Sequence, residues 1–77
     1  MKTYVGITAQ HDKQGTITPV IMHWPDGRQW PVDRVLDVRM APSITGGGQG
    51  MRYVCRIANK EVNLFHDDLD GKWFVEH

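Results

Sequence analysis

The chain has 77 residues, with nine lysines and arginines against nine aspartates and glutamates. That is one domain's worth of sequence, with no net charge to draw it to nucleic acid or to an anionic membrane. Hydrophobic residues at 40% and charged residues at 23% exclude a disordered chain. A single cysteine, Cys55, excludes an intrachain disulfide and a cysteine-based zinc site.

Residues 2–10 alternate, with Val5, Ile7 and Ala9 on one face and Tyr4, Gly6 and Thr8 on the other, which predicts a half-buried strand. Asp12-Lys13-Gln14-Gly15 supplies a turn, with Gly15 at a left-handed or bulge position. The next run, residues 16–24, carries apolar residues on both faces: Ile17, Pro19 and Ile21 on one, Val20, Met22 and Trp24 on the other. This predicts a curled strand serving two parts of a closed sheet. Pro19 has no amide hydrogen, so its amide side belongs at an edge or a bulge.

Asp26-Gly27 is a tight-hairpin signal, because glycine takes positive φ freely and aspartate tolerates it. A two-residue loop sets Pro25 opposite Arg28 and Trp24 opposite Gln29, with Trp30 diagonal to Trp24. Residues 28–32 then form a strand. Residues 33–40 read as strand rather than helix from their β-branched content, with Leu36, Val38 and Met40 on one face and Asp37 and Arg39 on the other.

Residues 41–50 hold Pro42, Ser43 and four glycines between positions 46 and 50, which predicts an exposed, mobile loop. Alternation resumes at 51–57, where Met51, Tyr53, Cys55 and Ile57 share a face. A short turn at 58–60 leads into 61–66 with Val62 and Leu64 inward, and a second turn leads into the final strand at 72–76. Five to six short antiparallel strands joined by tight turns are best buried by curling the sheet on itself. The expected fold is therefore one all-β domain over 1–77, a small SH3-like barrel. An OB-like barrel is the runner-up, disfavoured because no helix is readable between its strands.

Few constellations carry chemistry. The glycine run lacks the Gly-Lys-Ser/Thr ending of a phosphate loop and no helix follows it. His11, His23, His66 and His77 show no metal-ligand spacing, and His66-Asp67-Asp68 reads as solvated turn residues. Ser43 is the sole serine and lies in the loop, and Cys55 reads as a buried thiol. No metal, cofactor or catalytic group is expected, and the protein reads as a non-enzyme.

Two features point to binding. If residues 33–40 pair with 51–57, then Arg39, Arg52 and Arg56 share an outer face with Asp37, giving either cross-strand charge pairs or an anion patch. Trp24, Trp30, Tyr53, Phe65, Trp73 and Phe74 cannot all face inward, since Trp73 and Phe74 are adjacent on one strand. Small barrels use such aromatics to hold peptides or to stack bases.

Four segments together carry a resemblance: Trp24-x-Asp26-Gly27-Arg28, then Val32-Asp33-Arg34-Val35-Leu36-Asp37-Val38-Arg39, then Gly47-Gly48-x-Gly50-x-Arg52-Tyr53-x-Cys55-Arg56-Ile57, and Trp73-Phe74-Val75-Glu76. They resemble a family of short, uncharacterised bacterial proteins common in Firmicutes. The resemblance covers most of the chain and brings no established activity, cofactor or catalytic residue. Such proteins are encoded beside Y-family DNA polymerases, which implies a DNA-repair accessory role as one expectation.

The leading expectation is a binding module for a protein partner, using the aromatic rim and the arginine face. A nucleic-acid accessory factor acting through Arg39, Arg52 and Arg56 is the alternative. A structural homodimer joined at a sheet edge is the third. No signal peptide or membrane-spanning run is readable, so the default compartment is the cytoplasm.

Overall fold

The computed structural model describes residues 1–42 and 49–76. Of residues 41–50, expected to form an exposed, mobile loop, 43–48 lie outside the described residues, as does His77. Ala41, Pro42, Gln49 and Gly50 are instead strand residues paired with one another, and Gly50 is buried. The described chain is all-β. Its strands are β1 (Lys2–His11), β2 (Ile17–His23), β3 (Gln29–Pro31), β4 (Arg34–Pro42), β5 (Gln49–Ile57), β6 (Lys60–Asp67) and β7 (Trp73–Glu76). All pairings are antiparallel, in the order β3-β2-β1-β7-β6-β5-β4, and the sheet curls into a half-barrel. The barrel-like all-β class matches the expectation from sequence. No helix among the described residues is long and apolar enough to cross a membrane.

Seven strands form, one for each run read from the sequence, where a count of five to six was expected, and the chain changes partners between Val32 and Asp33. The Val32 amide bonds to the carbonyl of Val20 on β2, at 2.8 Å, and the Asp33 amide bonds to that of Arg56 on β5, at 2.9 Å. Residues 28–32 and 33–40 therefore belong to opposite edges of the sheet. The same two bonds bring those edges together at one corner, while the rest of the half-barrel stays open.

Turn chemistry sets the hairpins. Both β1–β2 and β2–β3 close with the same pattern. The Asp12 amide bonds to Thr16 and the Gly15 amide to Asp12; the Trp24 amide bonds to Arg28 and the Gly27 amide to Trp24. In each, glycine holds a left-handed φ, 84° at Gly15 and 94° at Gly27. The Trp24 hairpin thus has a three-residue loop, not the two-residue loop expected. Trp24 lies opposite Arg28, and Met22 rather than Trp24 pairs with a residue of β3's centre, Trp30. The β5–β6 turn is the two-residue form, with Ala58 and Asn59 both at positive φ, 51° and 63°.

Two bulges reverse side-chain parity. In β1–β2 the register passes from Thr8↔Ile21 to Ala9↔Pro19, leaving Val20 as the extra residue beside Pro19. Pro19 and Met22 are consequently both buried, although simple alternation assigns them to opposite faces. In β4–β5 the ladder slips between Val35 and Asp37, so Val35 opposes Cys55 and Val38 opposes Tyr53. Leu36 is left unpaired there, and Val35 takes the place beside Val38 and Met40 that alternation gave to Leu36.

The core sits on the inner face of the curl. Leu64 and Cys55 are fully buried, with Tyr53, Ile57, Met22 and Val75 around them. Trp24, Trp30, Val35, Met51 and Trp73 pack against this cluster while remaining half-buried.

Candidate functional site

The open side of the half-barrel leaves a groove of about 470 Å³. One wall comes from the start of β2, at Ile17 and Pro19, and the other from Val35 and Val38 on β4. Met51, Tyr53, His66 and Asp68 also line it. Its position follows from the parity reversals just described: the Val20 bulge turns Pro19 inward, and the slip after Val35 places Val38 over Tyr53. An apolar concavity bounded by a few polar groups is the usual form of a recognition site.

The polar groups are held from behind. Trp73 lies opposite His66 in the β6–β7 ladder. Its ring stacks on the imidazole at 4.4 Å and 18°, and it meets Tyr53 at 5.1 Å and 41°. Trp73 is therefore a buttress for two groove-lining rings rather than an exposed rim residue. Burial pushes the Tyr53 phenol above its usual range, and the negative charge of Asp68 and the nearby Cys55 push it the same way. The phenol stays protonated at neutral pH and can donate a hydrogen bond into the groove. Cys55 packs beneath with no exposure, and burial pushes its thiol up to about 11. Held neutral and out of reach, it is the buried thiol the sequence indicated rather than a nucleophile.

The arginines lie on the outer face, as pairing of β4 with β5 implied. Arg39 is opposite Arg52, and Arg56 is opposite Arg34 on one side and Glu61 on the other. Asp37 holds the Arg39 guanidinium, with Nε 2.8 Å from the carboxylate. Arg52 also faces Phe65, and its Nε is buried without a hydrogen-bond partner among the described residues.

Phe74 faces outward from the strand that turns Trp73 inward, yet only 3% of it is exposed. Phe65 stacks on it at 5.1 Å and 10°, Tyr4 meets it edge-on at 5.9 Å, and the Lys2 ammonium lies 4.2 Å from its ring centre. The forced outward aromatic is thus covered by its own neighbours, and Tyr4, half exposed, is the aromatic that meets solvent.

Trp24 and Trp30 lie on one face of their hairpin and pack against the core, with the Arg28 guanidinium 5.8 Å from the Trp30 ring centre. Arg28 also bonds Asp26 at 2.6 Å. The Arg28 backbone amide, and then its side chain, hold the Asp26 carboxyl below its usual range. His23 Nε2 finds its partner in the Thr8 hydroxyl, at 2.7 Å. No cluster of three metal-binding side chains occurs among the described residues.

The seven residues singled out from sequence therefore divide. Trp24, Trp30 and Trp73 belong to the inner packing, Phe74 is covered on the outer face, and Arg39, Arg52 and Arg56 share that face. The groove lining was missed, because Ile17, Pro19, Val38 and Asp68 meet only through the curl of the sheet. The one available signal was the apolar content on both nominal faces of residues 16–24. No family model matches the chain, and neither the curated proteins nor the solved structures contain a significant match to it.

Proposed function

We propose that the protein is a non-enzymatic binding module that takes an apolar stretch of a protein partner into the groove between β2 and β4. The observation that carries this reading is the apolar lining of that groove, with the Tyr53 phenol, His66 and Asp68 beside it. Apolar side chains supply affinity and a few oriented polar groups supply register, as in other peptide-binding clefts. The outer arginine face supports phosphate binding less well, since Asp37 holds Arg39 and Glu61 stands opposite Arg56.

Selection of short random peptides on the immobilised protein tests the proposal. Enrichment of peptides with clustered apolar residues is expected, and their binding should be lost in Val38→Asp, a substitution at a groove residue 45% exposed and outside the tight core. Selected peptides that bind Val38→Asp and the parent equally would overturn it.

A further inference from the structure

We infer that two copies of this chain pair through β4, antiparallel about Val38, with Asp37 of each copy against Arg39 of the other. The edge itself is the first observation. Among the described residues β4 pairs only with β5, and of its nine residues Leu36, Val38 and Met40 are exposed at 42%, 45% and 70%. Half of the exposed large hydrophobics among the described residues thus sit on one strand whose outer side has no partner. Long apolar edges of this kind are templates for pairing with another chain.

Backbone direction is the second observation. Ile57 and Lys60 close a two-residue turn, so they form a hydrogen-bonded pair. Alternation then directs Cys55, Tyr53 and Met51 toward β6, and Val54 and Arg52 toward β4. Their partners on β4 are Asp37 and Arg39. The N–H and C=O groups of Val38 and Met40 consequently point away from β5, toward the open edge.

Charge selects the register. An antiparallel pairing that uses those outward groups can set Val38 opposite Leu36, Val38 or Met40 of the second copy. The first register puts Asp37 opposite Asp37, and the third puts Arg39 opposite Arg39. Only Val38 against Val38 sets Asp37 opposite Arg39 twice. The existing Asp37–Arg39 ion pair, at 2.8 Å, would become half of an alternating four-charge row. A strand that is self-complementary about its centre is what a twofold interface requires. Val38 belongs to both this interface and the groove, but Asp37 and Arg39 do not line the groove, so the charge exchange at those two positions tests the dimer separately from the peptide-binding reading.

Sedimentation across a concentration series tests it, with circular dichroism to confirm the fold of each variant. The parent should pass from monomer to dimer as concentration rises. Asp37→Arg or Arg39→Asp should weaken the dimer about tenfold or more, and the double exchange Asp37→Arg/Arg39→Asp should restore it. Val38→Pro should abolish pairing while keeping the fold, because the Val38 amide makes no bond to β5. A chain that stays monomeric at millimolar concentration, or a dimer indifferent to both the charge exchange and Val38→Pro, overturns the inference.

Discussion

Replacing Cys55 by alanine should reverse its effect on stability between neutral and alkaline pH. At neutral pH the thiol is a small apolar group with no exposure, packed in the cluster with Leu64 and Tyr53. Removing it leaves a void of about one methylene, a loss of roughly 1 kcal/mol. Above pH 9 a second effect enters. The unfolded chain ionises this thiol from its ordinary value of 9.0, whereas burial holds the native thiol neutral to about 11. A raised native value means that the unfolded chain loses its proton first. The contribution is therefore complete below pH 9 and is lost as pH rises through 11. By pH 10.5 the loss amounts to roughly 2 kcal/mol, more than the void costs. The parent should be the more stable protein at pH 7.5 and Cys55→Ala the more stable at pH 10.5. Urea unfolding midpoints of both proteins under reducing conditions measure this, since ionisations common to the two cancel in the difference. A stability difference that does not change with pH would refute the assignment of Cys55 as a neutral, desolvated thiol.

Two further substitutions test the strand register and the turns. At Gly50 a side-chain Cβ would collide with the His66 carbonyl oxygen of the paired strand. Gly50→Ala should therefore cost about 2 kcal/mol and lower the thermal midpoint; an unchanged midpoint would refute the close approach of β5 to β6 at that point. Ala58 holds φ at 51° in the two-residue turn, a conformation that asparagine adopts more readily than alanine. Ala58→Asn should raise stability by about 0.5–1 kcal/mol in urea unfolding, and a loss would argue against this turn form.

Trp30→Ala and Trp73→Ala, natural choices from sequence for testing a binding rim, are poor probes in this fold. Trp30 packs against the core, and Trp73 supports both Tyr53 and His66. Truncating either removes packing worth about 3–5 kcal/mol before any partner is considered. Val38 and the Asp37–Arg39 pair are the cleaner positions, because they lie at the surface on the edge strand.

Local chemistry determined much of this protein from its sequence. Period-two alternation placed Met51, Tyr53, Cys55, Ile57, Val62 and Leu64 inward, and glycine at the turns located the hairpins. Both signals depend only on neighbouring residues and on which φ a residue tolerates. The joint face of Arg39, Arg52 and Arg56 was legible because it needed just one correct pairing of adjacent strands. The tertiary structure alone decided the exchange of partners at Val32 and Asp33, the extra residues Val20 and Leu36, and the groove that follows from them. A bulge inverts every later side chain, yet it is defined by the strand opposite and leaves the local alternation unmarked. The inward and outward assignment of residues 16–24 and 33–40 was thus settled by the curl of the whole sheet.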